Sequence, residues 1–118
     1  GEMIWTDVEG RVWTGQQLAA KIRGVGRLGR GQFYNAGSFC ALGLLAYSKE
    51  GEYVFNAARQ EASGRLGVIY SARHQTSLTL DNDRFIGSPE ALAEFMAQRF
   101  DQLDEEGGES ARRSSTGD

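Results

Sequence analysis

A single cysteine, a single histidine and a single proline occur among 118 residues, and no apolar run approaches the roughly 20 residues that a bilayer-spanning helix needs. Each scarcity excludes something. One cysteine cannot close an internal disulfide, so nothing points to a secreted, disulfide-stapled scaffold. One cysteine with one histidine cannot build a thiolate and imidazole zinc site, and neither a metal nor any other cofactor is expected. The N-terminus lacks a charged start followed by an apolar signal core; Met3 reads as a natural start, and Gly1 and Glu2 carry no weight. A soluble, cytoplasmic protein without a membrane partner is the expectation.

Charge is unevenly spread. The net charge of −3 resides in residues 104–118, whereas residues 1–103 carry eleven charges of each sign. Residues 10–48 hold Arg11, Lys21, Arg23, Arg27 and Arg30 and not one acid, which gives the first half a basic character. The composition, 40% hydrophobic and 10% aromatic, is that of a globular chain with one core. A single domain over 3–103 and a disordered acidic tail over 104–118 follow.

The pattern along the chain is that of a helix-rich α+β domain. Two short extended pieces around Asp7–Gly10 predict an N-terminal β-hairpin that brings Trp5 near Trp13. Thr14 followed by Gln17 is a capping box, which predicts a helix over 14–23 with Leu18, Ile22 and Val25 on its apolar stripe. Residues 24–38, rich in glycine and arginine, read as a loop in which Ser38 is placed to cap the next helix. From Phe39 to Tyr47 only Gly43 is not apolar, so a helix over 39–48 is expected to be surrounded by protein. Gly43 costs such a helix about 1 kcal/mol against alanine, which a close contact offsets. A third helix is predicted over 52–63, and a second small hairpin over 67–80 from the β-branched and alternating residues there. Ser88, Pro89 and Glu90 open the last helix, 88–103, with Leu92, Phe95, Met96, Phe100 and Leu103 facing inward.

Cys40-Ala-Leu-Gly-Leu-Leu45, Leu80-Asp-Asn-Asp83 and the capped helix from Ser88 together resemble a family of small, functionally uncharacterised bacterial and phage proteins. That family shows a Cys-x-Leu-Gly-Ala-Leu helix, a Trp-Asn-Asp loop and a closing amphipathic helix. Leu44 replaces its alanine and Asp81 its tryptophan. The resemblance implies the limits of the domain and no reaction, ligand or cofactor. In this setting Cys40 reads as a small buried hydrophobe, Gly43 as a helix contact point and Asn82-Asp83 as a turn.

Three functions are compatible with these residues. The preferred one is a non-enzymatic protein-interaction or accessory module, in which a protein partner or self-association as a homodimer buries part of the aromatic surface of the first half. The second is a thiol hydrolase or transferase in which Cys40, His74 and Asn82, in that chain order, form a catalytic trio, with Cys40 activated by a helix start and His74 in a polar loop. The third is anion or nucleic-acid binding through loop 23–34, where Arg23, Arg27 and Arg30 neutralise phosphates and Phe33 or Tyr34 stacks on a base. This last is not favoured, because the folded part carries no net positive charge. Gly24-x-Gly26-x-x-Gly29 spells a dinucleotide fingerprint but follows a helix rather than a strand. Asp81, Asn82 and Asp83 lack the glycine and glutamate that a calcium loop places at its sixth and twelfth positions.

Overall fold

The computed structural model describes residues 2–116, with side chains for 2–104. Among the described residues the order is β1 (Trp5–Thr6), β2 (Val12–Trp13), α1 (Gly15–Val25), β3 (Tyr34–Asn35), β4 (Ser38–Phe39), α2 (Ala41–Ala46), β5 (Ser48–Lys49), β6 (Glu52–Tyr53), α3 (Ala57–His74), α4 (Leu78–Arg84) and α5 (Pro89–Thr116). The strands pair as three separate antiparallel hairpins, β1–β2, β3–β4 and β5–β6. The class is α+β with an N-terminal hairpin, as the sequence indicates.

Asp7 shapes the first hairpin. Its Oδ1 accepts the backbone N–H groups of Glu9 and Arg11, both at 2.9 Å, and its Oδ2 accepts Trp13 Nε1 at 3.0 Å. Trp5 stands opposite Trp13, and Trp5 Nε1 donates to the Ala62 carbonyl at 2.9 Å, docking the hairpin on α3.

The predicted capping box opens α1: Thr14 Oγ1 accepts from Gln17 N at 3.0 Å and Gln17 Oε1 accepts from Thr14 N at 2.9 Å. Gly26, at φ 82°, ends the helix in the left-handed region, where glycine pays no steric penalty. Leu18, Ala19 and Ile22 are buried, as are Leu92, Met96, Phe100 and Leu103 of α5, and α1 against α5 is the most extensive helix pair. A Cβ on Gly15 would run into the Phe100 carbonyl and the Asp104 carboxylate. Asp104 accepts the N–H groups of Gly15 and Gln16, both at 2.8 Å, so it neutralises the positive end of α1. Helix α5 runs past the expected end at 103 into the stretch read as tail, as far as Thr116, and the side chains beyond 104 lie outside the described residues.

The second half departs from expectation. Helix α3 starts at Ala57, where Asn56 caps it by accepting Arg59 N, and it runs through the stretch read as a hairpin over 67–80. Ala62, Leu66 and Tyr70 recur every four residues and are all buried. That helical period outweighs the β-branched character of Val68 and Ile69, and Val68 points to solvent, 68% exposed. Ser77 then caps α4 by accepting Leu80 N at 2.9 Å, which turns the alternating 77–80 segment into helix.

The extra hairpins lie elsewhere. β3–β4 turns on Ala36 (φ 52°) and Gly37 (φ 86°), and β5–β6 on Glu50 (φ 53°) and Gly51 (φ 83°). Two consecutive positive φ values are the two-residue turn that matches strand twist. Helix α2 is shorter than the predicted 39–48, because Phe39 pairs in β4 and Cys40, not Ser38, occupies the cap. All six of its residues are buried, and a Cβ on Gly43 would collide with the Phe33 carbonyl. The contact that requires this glycine is a loop backbone.

Two substitutions act in opposite directions. Gly43→Ala destabilises the domain by about 3 kcal/mol or more, since the clashing atom is main chain and cannot turn aside. Glu50→Asn stabilises it by about 0.5 kcal/mol, because asparagine tolerates the left-handed region better. Urea unfolding of both variants measures the two shifts.

Candidate functional site

Helix α4 delivers Asn82 and Asp83 to the glycine-rich loop. Asn82 is fully buried. Its Oδ1 accepts Ala41 N, a first-turn donor of α2, at 2.9 Å, and its Nδ2 donates to the Gly29 carbonyl at 2.9 Å and to Asp83 Oδ1 at 3.0 Å. Asp83 Oδ1 also accepts Gly31 N at 2.9 Å. Gly29 N donates to the Phe39 carbonyl and Cys40 N to the Phe33 carbonyl. The loop between α1 and β3 is therefore fastened to β4, α2 and α4 at once.

Over this staple opens a cleft of about 430 Å³, lined among others by Phe33, Tyr34, Cys40, Tyr53, Thr79 and Asp83. Phe33, Tyr34 and Tyr53 are its rings, and Tyr47 and Phe55 continue the array beyond its lining, with Tyr47 joined to Tyr53 at 6.2 Å. Phe33 stacks on Tyr47 with centroids 4.5 Å apart, Tyr34 on Tyr53 at 5.8 Å, and Tyr47 on Phe55 at 5.3 Å. The two hairpin turns set this spacing, because β3–β4 carries Tyr34 and β5–β6 carries Tyr53.

The three residues of the thiol trio are not brought together. Cys40 is 3% exposed and its Sγ accepts Gly43 N at 3.3 Å. Burial pushes its thiol above the ordinary value, outweighing the backbone N–H groups of Gly43 and Leu42 that favour thiolate. Asn82 is adjacent to Cys40 in space, bonded to Ala41, but both ends of its amide are occupied. His74 lies in the last turn of α3 rather than in a loop. Its Nε2 donates to the Arg99 carbonyl at 2.8 Å and its ring meets Tyr70 edge-on at 4.6 Å. Burial holds it below its ordinary value and so keeps it neutral. Among the described residues no hydrogen bond joins Cys40 to His74.

The basic loop fares similarly. Arg23 forms a fork on Glu94 at 3.0 and 3.1 Å and meets Asp101 at 2.9 Å. Arg30 donates to the carbonyls of Phe85 and Gly87. Arg27 is exposed, and Tyr34 belongs to the aromatic wall. Two of the three arginines proposed for phosphate thus hold the protein's own groups.

Sequence reasoning passes over two further clusters. Tyr70 donates to Asp81, which Arg99 grips through Nη2 at 2.9 Å and Nε at 3.1 Å; the three join α3, α4 and α5, and burial followed by the Asp81 contact raises the Tyr70 hydroxyl. At the end of α2 remote from Cys40 lies a second cleft, of about 570 Å³, with Arg11, Trp13, Lys21 and Arg59 among its lining. The acid-free run over 10–48 contributes Arg11 and Lys21 to it, and Lys49 and Arg59 come from beyond that run. Among the described residues no three His, Cys, Asp or Glu side chains group as metal ligands would, and no helix is long and apolar enough to cross a membrane.

Cys40 is expected to react with iodoacetamide in the folded protein at least about 100-fold more slowly than a free thiol near pH 8, and to recover in urea. Cys40→Ser keeps the cap and folds, whereas Cys40→Ala loses it and costs about 1 to 2 kcal/mol. Rapid labelling of the folded chain near neutral pH contradicts this assignment.

Compared with protein-family models, with curated proteins and with solved structures, the chain matches none, so the reading of its function rests on the geometry.

Proposed function

We propose that this domain is a non-enzymatic protein-interaction module, and that it holds a basic side chain of its partner in the aromatic cleft at the start of α2. The observation that carries this reading is the exposure of three rings in one connected array: Tyr34 at 37%, Tyr53 at 41% and Phe55 at 53%. Large aromatic side chains left in water beside a concave surface are the usual anchors of an interface.

The charge of the cleft favours a cation. Ring faces are electronegative and attract an ammonium or guanidinium, and Asp83 stands at the same cleft. Its Oδ1 is occupied by Gly31 and Asn82, while Oδ2 has no hydrogen-bond partner among the described residues. The staple beneath fixes the loop before any partner arrives, which lowers the ordering cost of binding.

The competing readings fit less well. A protonated, buried Cys40 without a base favours recognition over thiol chemistry, and the ion pairs of Arg23 disfavour phosphate at the loop. A cytoplasmic setting, and kinship with the small bacterial and phage proteins that carry the Cys-x-Leu-Gly-Ala-Leu helix, belong to the same proposal.

Selection of a random peptide library against the folded chain tests it. Enriched sequences are expected to share an arginine or lysine at one fixed position. Tyr53→Ala and Asp83→Asn then weaken the winning peptide by about tenfold or more. The reading fails if no basic position is enriched, if the two variants bind as the parent does, or if light scattering shows that a second copy of the chain fills the cleft.

A further inference from the structure

We infer that the second cleft, at the far end of α2, is a binding site for a small multivalent oxyanion, a phosphate or polycarboxylate group of a small molecule. It is separate from the aromatic cleft, and either site can exist without the other. Four cations converge there: Arg11, Lys21, Lys49 and Arg59. Their partners are few and poorly placed.

Arg59 is the innermost. Only 9% of its side chain is exposed, and Nη1 donates to the Ala46 carbonyl at the end of α2, at 3.2 Å. The acid nearest to Nη2 is Glu9, at 3.7 Å, and the same Glu9 oxygen lies 3.8 Å from Lys49 Nζ. Both separations exceed hydrogen-bond reach. One half-exposed carboxylate thus makes long ion pairs with two cations and hydrogen-bonds neither.

Lys21 is partly buried, and among the described residues its ammonium has neither a hydrogen bond nor an ion pair. Its Nζ lies 5.4 Å from the Trp13 ring centroid, and Arg11 covers the same ring at 4.0 Å. Burial holds the ammonium below its ordinary value; Arg11 and Arg59 add to that shift, and Asp7 and Glu9 oppose it. Asp7 is the one acid well inside the cleft, and its two oxygens are already occupied by three N–H donors. Glu50 stands exposed at the rim.

Donors therefore outnumber acceptors in a concave space of about 570 Å³, within the roughly 300 to 1,000 Å³ typical of small-ligand sites. A partly buried cation without a partner is costly unless something arrives to meet it. A group with two or more negative charges would lie between Lys21 Nζ and Arg59 Nη2 and displace Glu9 toward solvent. Arg11 closes over it from the rim. A monovalent carboxylate is a weaker candidate, because Glu9 already supplies one at high local concentration.

The test titrates sodium pyrophosphate and sodium citrate separately into the full chain, with sodium chloride at matched ionic strength as the reference. The readouts are amide chemical shifts and tryptophan fluorescence. Saturable shifts at Lys21, Ala46 and Arg59 are expected for at least one anion, and which anion saturates separates phosphate from carboxylate recognition. Lys21→Met is expected to weaken that binding by about tenfold or more. The same variant raises the thermal midpoint of the ligand-free protein, because it removes an unpartnered charge, an effect that a purely structural lysine would not produce. Arg59→Lys keeps the charge and loses the planar fork, and it also weakens binding; if it does not fold, Lys21→Met decides alone. The inference is overturned if both anions act as chloride does, if the shifts map to another surface, or if Lys21→Met binds as tightly as the parent.

Discussion

The Asn82 carboxamide has a donating end and an accepting end, and the protein engages both where water cannot replace them. The acceptor holds the first turn of α2 through Ala41, and the donor holds the glycine-rich loop through Gly29. A buried amide left without partners costs about 1 to 3 kcal/mol, so removing either contact penalises the residue as well as the segment it held. The loop after α1 then loses its fixed path, Phe33 is no longer pressed on Gly43, and the wall of the aromatic cleft has no base. Asp83 extends the same clamp to Gly31.

Helix α2 is the short column between the two clefts. Six residues rise only about 9 Å, and every one of them is buried, so the column offers packing and no chemistry along its length. Reactive and charged groups gather at its ends. Cys40 caps one end, beside the rings of β3–β4 and β5–β6, and the Ala46 carbonyl at the other anchors Arg59. The geometry explains how a domain of this size keeps a phenylalanine and tyrosine wall and a cluster of cations apart from one another.

Much of the frame was legible in the sequence because its signals are local. The Thr14 and Gln17 capping box, the Trp5 and Trp13 pairing, the buried Phe39–Tyr47 stretch and the stripe from Leu92 to Leu103 all rest on short-range spacing, and all are present. The errors came where two local signals conflicted. Val68 and Ile69 read as strand, but the four-residue period of Ala62, Leu66 and Tyr70 is set by what lies opposite in the fold. The Ala36-Gly37 turn falls in the stretch that reads as a loop, and the Glu50-Gly51 turn in the break between the helices expected over 39–48 and 52–63, so that β6 occupies the expected start of the latter. The candidate sites were less legible still: chain order put Cys40, His74 and Asn82 in a plausible sequence, yet His74 lies in the last turn of α3, against Tyr70 and the Arg99 carbonyl. The cation cluster is assembled from the first hairpin, α1, β5 and α3, so no window of sequence contains it.

The Asp104 carboxylate that caps α1 has a consequence for synthesis. It is separated by 89 residues from the Gly15 N–H that it receives, and the apolar partners of Leu18 and Ile22 sit on the same late helix. At about 5 to 20 residues per second, α1 emerges from the ribosome and remains for several seconds or longer without its main packing surface. Contacts this distant in sequence also slow folding after release. The first helix thus waits for the last, and during that interval its apolar stripe, capped by its own Thr14 and Gln17 but not yet by Asp104, is available to chaperones.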